Sequence, residues 1–100
     1  MKLIITEDKL YKTFSNFMDK YFDLTYHIVK VTTMGIEMTE YEFIDKDGEI
    51  FGRAFKNGSF VCSNKKHLMI KSFFGDNTDE LLFIYLNDNF GNVVRIKRIS

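Results

Sequence analysis

The sequence lacks most of what would announce a chemistry. It has no tryptophan and no proline, so its core must be built mainly from Phe, Tyr, Ile, Leu, Val and Met. Cys62 is the only cysteine. It cannot form an internal disulfide, which favours a reducing compartment. No apolar run approaches the roughly 20 residues that cross a bilayer. The opening segment offers only Leu3, Ile4 and Ile5 before Glu7 and Asp8, too little for a signal peptide. These absences lead to the expectation of a cytoplasmic protein with no membrane partner.

Catalytic and metal-binding patterns are missing too. His27 and His67 stand alone, and with one cysteine they have no zinc spacing. Gly48, Gly52 and Gly58 lie around hairpins, and none precedes a helix carrying the Lys-Ser/Thr pair of a phosphate loop. Asp45, Asp47 and Glu49 are close together, but Gly48 does not fall where a calcium loop needs it. Asp76, Asn77, Asp79 and Glu80 read as a solvated acidic loop. Cys62, in Phe60-Val61-Cys62-Ser63, reads as a small hydrophobe, and no base, nucleophile and orienter form a set. The expectation is no enzyme, no cofactor and no metal.

Net charge is also lacking: the formal value is zero. It is unevenly spread, since residues 1–50 carry six lysines against ten acids and residues 51–100 carry eight basic residues against four acids. That split hints at a dipolar surface.

What is abundant is phenylalanine, at 11 residues in a chain of 100. A chain of this length is one domain, 1–100. It is small enough to gain from forming a homo-oligomer, because it buries only some two-thirds of its unfolded surface. Leu10, Phe14, Phe17, Met18, Tyr21 and Phe22 recur at spacings of three and four, the period of one helix face. The spacing predicts an amphipathic helix from Thr6 to Asp23, with Thr6 as N-cap and Glu7 and Asp8 at the positive end of its dipole. Phe14, Phe17, Met18 and Tyr21 should be buried against strands.

Lys2 to Ile5 reads as a short strand before that helix. From Thr25 the period becomes two. Tyr26 to Thr33 is β-branched strand sequence, Met34-Gly35 a turn, and Ile36 to Ile44 a second strand. Asp45 to Gly48 is a tight turn and Asn57-Gly58 the strongest hairpin signal, so Glu49 to Lys56 and Ser59 to Ser63 form a further pair. Asn64-Lys65-Lys66 reads as a connection. His67 to Phe74, Glu80 to Asn87 and Asn92 to Ile99 read as three more strands, with a turn at Asp88 to Gly91. The expected class is α+β: one N-terminal amphipathic helix on a curled antiparallel β-meander.

Two binding modes follow. A sheet face or loop could meet a protein partner, whose identity the sequence does not give. Alternatively, Phe51, Arg53 and Phe55 on one face of a strand could stack bases. Lys65, Lys66, Arg95, Lys97 and Arg98 would then supply phosphate contacts. The neutral charge favours the protein partner.

The segment Met1-Lys2-Leu3-Ile4-Ile5-Thr6-Glu7 resembles the start of many small uncharacterised accessory proteins of tailed bacteriophages, in which such a segment runs into a helix. The resemblance implies a phage accessory protein, inhibitor or virion component. It carries no catalytic residues with it, and it would place the protein in the host cytoplasm.

Overall fold

The computed structural model describes residues 2–100, with side chains from Lys9 onward. Helix α1 (Lys2–Tyr21) leads into strands β1 (Thr25–Thr33), β2 (Ile36–Ile44), β3 (Ile50–Phe55) and β4 (Ser59–Cys62). Helices α2 (Asn64–Phe74) and α3 (Thr78–Phe90) follow, joined by a 3-10 turn at Gly75–Asn77, and β5 (Arg98–Ile99) comes last. The sheet order is β1-β2-β3-β4-β5. Every pairing is antiparallel except β4 with β5, which is parallel. The fold is α+β, with one helix before a mostly antiparallel sheet.

The strand expected over Lys2 to Ile5 is helix, and α1 starts at Lys2. Thr6 therefore lies inside the helix and is not its N-cap. No Gly, Pro or turn residue separates Lys2–Ile5 from the helical stripe, and adding a turn to a formed helix is cheap compared with starting one. The helix ends where Asp23 takes a left-handed backbone, φ 45°, and its amide reaches back to the Met18 carbonyl.

Helix α1 is covered by helices as much as by strands. Phe14 and Met18 are completely buried. Phe14 meets Phe74 of α2 and Tyr85 of α3 edge-on, at 4.9 and 6.1 Å between ring centres. Phe22 meets Phe51 of the sheet at 5.2 Å. Phe17 packs on Phe73 and Phe74 of α2 but is only half-buried, and Tyr21 stays 46% exposed. The expected burial of Phe17 and Tyr21 against strands is thus corrected: α2 occupies that side.

Two predicted strands are helices. His67 to Phe74 belongs to α2, whose first turn also takes up Asn64-Lys65-Lys66. Glu80 to Asn87 belongs to α3, which runs on through the expected turn at Asp88 to Phe90. The six apolar residues Leu81 to Leu86 satisfy either period. The burial of Leu81, Leu82, Tyr85 and Leu86 follows the helical one, and Asp79 and Glu80 in the first turn favour helix through the dipole. Asn92 to Ile99 is strand only at Arg98–Ile99. The alternation read there survives, since Val94 and Ile96 are buried while Arg95 and Lys97 are exposed. The Asn87 side chain stands in for a strand neighbour, bonding both the amide and the carbonyl of Ile96 at 2.8 and 2.9 Å.

One irregularity sets the core. The β2–β3 register slips between Phe43 and Ile44, so Ile44 faces Ile50 and Phe43 faces Gly52. The extra residue, Phe51, turns into the core beside Gly52 and is completely buried. Gly52 has no room for a side chain: a Cβ there would lie 2.6 Å from the Phe60 ring.

Strand β2 pairs with β3 only through Glu40–Ile44, so residues 36–39 pair with β1 alone. The β1–β2 hairpin therefore projects beyond the body as a two-stranded ribbon. The molecule is correspondingly long, at 52 × 28 × 21 Å.

Candidate functional site

Side chains alternate across a strand, so the registers assign each residue to a face. Tyr26, Tyr41, Phe43, Ala54, Phe60 and Cys62 point toward the helices; all but Tyr26 join the core or its margin, and the exposed Tyr26 ring meets that of Phe90 at 5.9 Å. His27, Val29, Val31, Met38, Glu40, Glu42, Arg53, Phe55 and Val61 point the other way. All three helices serve the first face, and among the described residues none covers the second. Met38, Ile50 and Val61 are 45–47% exposed on it.

The middle of this open face is an ion-pair ladder made by register. His27 lies directly opposite Glu42, and Glu42 directly opposite Arg53. The Arg53 guanidinium donates from Nε and an Nη to one Glu42 oxygen, at 3.0 and 2.8 Å. Its other Nη reaches Glu40 at 3.4 Å. His27 Nε2 lies 2.9 Å from the second Glu42 oxygen. Glu40 and Glu42 are two residues apart on one strand face and would repel each other. Arg53 between them offsets that repulsion, and both carboxylates are largely buried, at 7% and 9% exposure. Cross-strand opposite charges of this kind stabilise a sheet, and hydrogen bonds between ionised groups are stronger than neutral ones.

The rim around the ladder is apolar: Val29 and Val31 on one side, Phe55, Val61 and Ile50 on the other. The surface thus has internally satisfied polar groups surrounded by apolar ones.

A second cluster ties the sheet to α2. Asp45 accepts from the amides of Asp47 and Glu49 at 2.9 and 3.0 Å, closing the β2–β3 turn. It also pairs with Lys66 at 2.9 Å. Burial alone would raise the Asp45 carboxyl, but Lys66 and the two amides together hold it below its ordinary value. The same contacts, Glu49 first and then Asp45, raise Lys66. The acidic turn is satisfied by an amine and backbone amides. Among the described residues no group of three or more His, Cys, Asp or Glu is placed to hold a metal ion.

The Cys62 thiol is 9% exposed, and burial, helped by the charge of Asp79, pushes it up to about 12. That is the opposite of an activated nucleophile. His67 is engaged with Asp79 at 2.6 Å. The hollow between α1 and α3, lined by Leu10, Tyr11, Asn77, Glu80, Leu81 and Ile84, holds about 140 Å³.

The residues expected to meet nucleic acid are not assembled into one surface. Phe51 is completely buried and offers no ring to a base. The bulge separates it from Arg53 and Phe55, which share the open face, so the three are not on one side of the strand. Arg53 is committed to Glu40 and Glu42, and Lys66 to Asp45 and Glu49. Lys65 is exposed on α2 and Arg95 in the segment after α3. The Lys97 stem lies over Gly58, and Arg98 sits in β5 opposite Ser59. His27, Glu40 and Glu42 were not singled out from the sequence. The available signal was Glu40-x-Glu42 on one strand face, with a tight turn bringing Arg53 opposite.

No helix among the described residues is long and apolar enough to cross a membrane. Comparison with protein-family models, curated proteins and solved structures finds no match.

Proposed function

We propose that this is a non-enzymatic interaction protein that binds a protein partner through the open face of its sheet. The observation that carries the reading is the make-up of that face: a sheet surface with no helix over it among the described residues, and an apolar rim around two carboxylates that the Arg53 guanidinium and the His27 ring hold in place. A protein surface with a matching apolar ridge would bury Met38, Phe55, Ile50 and Val61 around that cluster. The setting suggested by the opening segment is a phage accessory protein, inhibitor or virion component.

The nucleic-acid alternative has less support, because Arg53 and Lys66 already have acidic partners and Phe51 is inside. Titration with labelled single- and double-stranded DNA and RNA at low and moderate salt separates the two readings. The expected result is no binding at low salt. Binding that weakens steeply with salt and is lost on joint replacement of Arg95, Lys97 and Arg98 by Ala would reverse the choice. For the protein partner, capture from lysate by the wild-type chain should persist after nuclease treatment. It should fall at least tenfold with Val61→Glu, which puts a charge at the rim.

A further inference from the structure

Strand β1 is one edge of the sheet, and a single lysine is all it carries of the devices that keep edges apart. It runs for nine residues, Thr25–Thr33, with no proline and a continuous register against β2. Its one permanently charged residue is Lys30. A long, regular, unbroken edge of this kind is a template for another strand.

Which groups it offers follows from the hairpin. Met34 and Gly35 both have positive φ, 52° and 76°, and they close a two-residue loop between the paired Thr33 and Ile36. In such a hairpin the closing pair exchanges both backbone bonds, and bonded and unbonded pairs then alternate. Thr25, His27, Val29, Val31 and Thr33 therefore bond to β2. Tyr26, Ile28, Lys30 and Thr32 turn their N–H and C=O groups outward.

We propose that β1 pairs antiparallel with β1 of a second copy of this chain, about a two-fold axis at Val29. In that register Ile28 lies opposite Lys30 of the second copy and Tyr26 opposite its Thr32, so every outward residue is bonded in both copies. Sliding the pair one way sets Lys30 against Lys30 and leaves Tyr26 unpaired. Sliding it the other way leaves Thr32 unpaired. The Val29 register alone uses the whole edge and opposes no like charges. It also sets Val29 beside Val29 and His27 beside Val31 on the open face. The zero net charge adds no long-range repulsion between copies. The two sheets become one, with all helices on one side and the two open faces joined on the other. The edge pairing is independent of what the open face binds.

The test is sedimentation velocity of the full chain from low to high micromolar concentration. The expected species has twice the 11.8 kDa chain mass. Ile28→Pro and Lys30→Pro each remove an outward amide and leave the bonds to β2 in place, and each should give a monomer. Ile28→Lys, which sets like charges opposite each other, should weaken the dimer at least tenfold, and adding Lys30→Glu should restore it. Circular dichroism confirms that each variant is folded. Amide exchange gives a readout without mutation: Ile28 and Lys30 should be as protected as Val29 and Val31. Val61→Glu, which tests the open face, should leave the dimer intact. A wild-type monomer at high micromolar concentration, with fast exchange at Ile28 and Lys30, overturns the proposal. So does a dimer that survives both Ile28→Pro and Ile28→Lys.

Discussion

Arg53 is the residue on which the open face depends. Its guanidinium is the main counter-charge for Glu40 and Glu42, two largely buried carboxylates. Arg53→Ala should cost about 1–3 kcal/mol in urea unfolding, the range for leaving a hydrogen-bonded acceptor unpaired. Its partial exposure keeps the loss below that of a fully buried pair. Adding Glu42→Gln should recover part of the loss, and full additivity of the two changes would argue against a shared network. Asp45 and Lys66 give a pH signature. The Asp45 carboxyl is lowered, so the stability it contributes is present above its unfolded value, near 4. That stability is lost as pH falls through the lower folded value. The raised Lys66 contributes fully below its unfolded value, near 10.4, and loses its contribution as pH rises through the higher folded one. The wild-type urea midpoint should therefore exceed that of Asp45→Asn at neutral pH, and the gap should shrink toward pH 3. At this scale the sequence was partly legible. Cys62 as a buried hydrophobe and Asp45–Gly48 as a turn were readable, because each depends on neighbours in sequence. The ladder was not, because His27, Glu42 and Arg53 meet only through the register of three strands.

The elements divide by where their signal lies. Strands β1 to β4 follow from alternation and from turn residues that have local requirements. Helices α2 and α3 did not follow, since an apolar run such as Leu81 to Leu86 satisfies both periods and only Asp79 and Glu80 lean toward helix. The bulge at Phe51 was invisible because its cause is tertiary: the Phe60 ring fills the space beside Gly52. Gly52→Ala should accordingly destabilise by about 1–3 kcal/mol as an overpacked site, and a neutral thermal midpoint would show that β3 can move away. The β1–β2 turn should respond in the opposite direction. Met34 is 96% exposed and sits at φ 52°, a backbone that disfavours residues with a bulky side chain. Met34→Asn places the preferred Asn-Gly pair in this turn and should raise stability by about 1 kcal/mol. A loss instead would mean that Met34 is held by a contact at the tip.

For the whole molecule, the helices gather on one side and leave the other side of the sheet, and the ribbon beyond it, uncovered. A protein of this size has little spare stability, and an unsupported two-stranded ribbon is marginal in water. Both uncovered features, the face and the edge, are therefore the natural places for partners to add buried surface. The central claim is that the open face meets a protein. It is tested most directly by placing a photo-crosslinking amino acid at position 61 on that face, and at Lys12 on the polar side of α1 as control. Irradiation in a lysate from cells that contain the partner should give a discrete protein adduct from position 61 alone. The adduct should be unchanged by nuclease and lost when Met38→Glu is added. Adducts that form equally from position 12, or that vanish with nuclease, would contradict the claim.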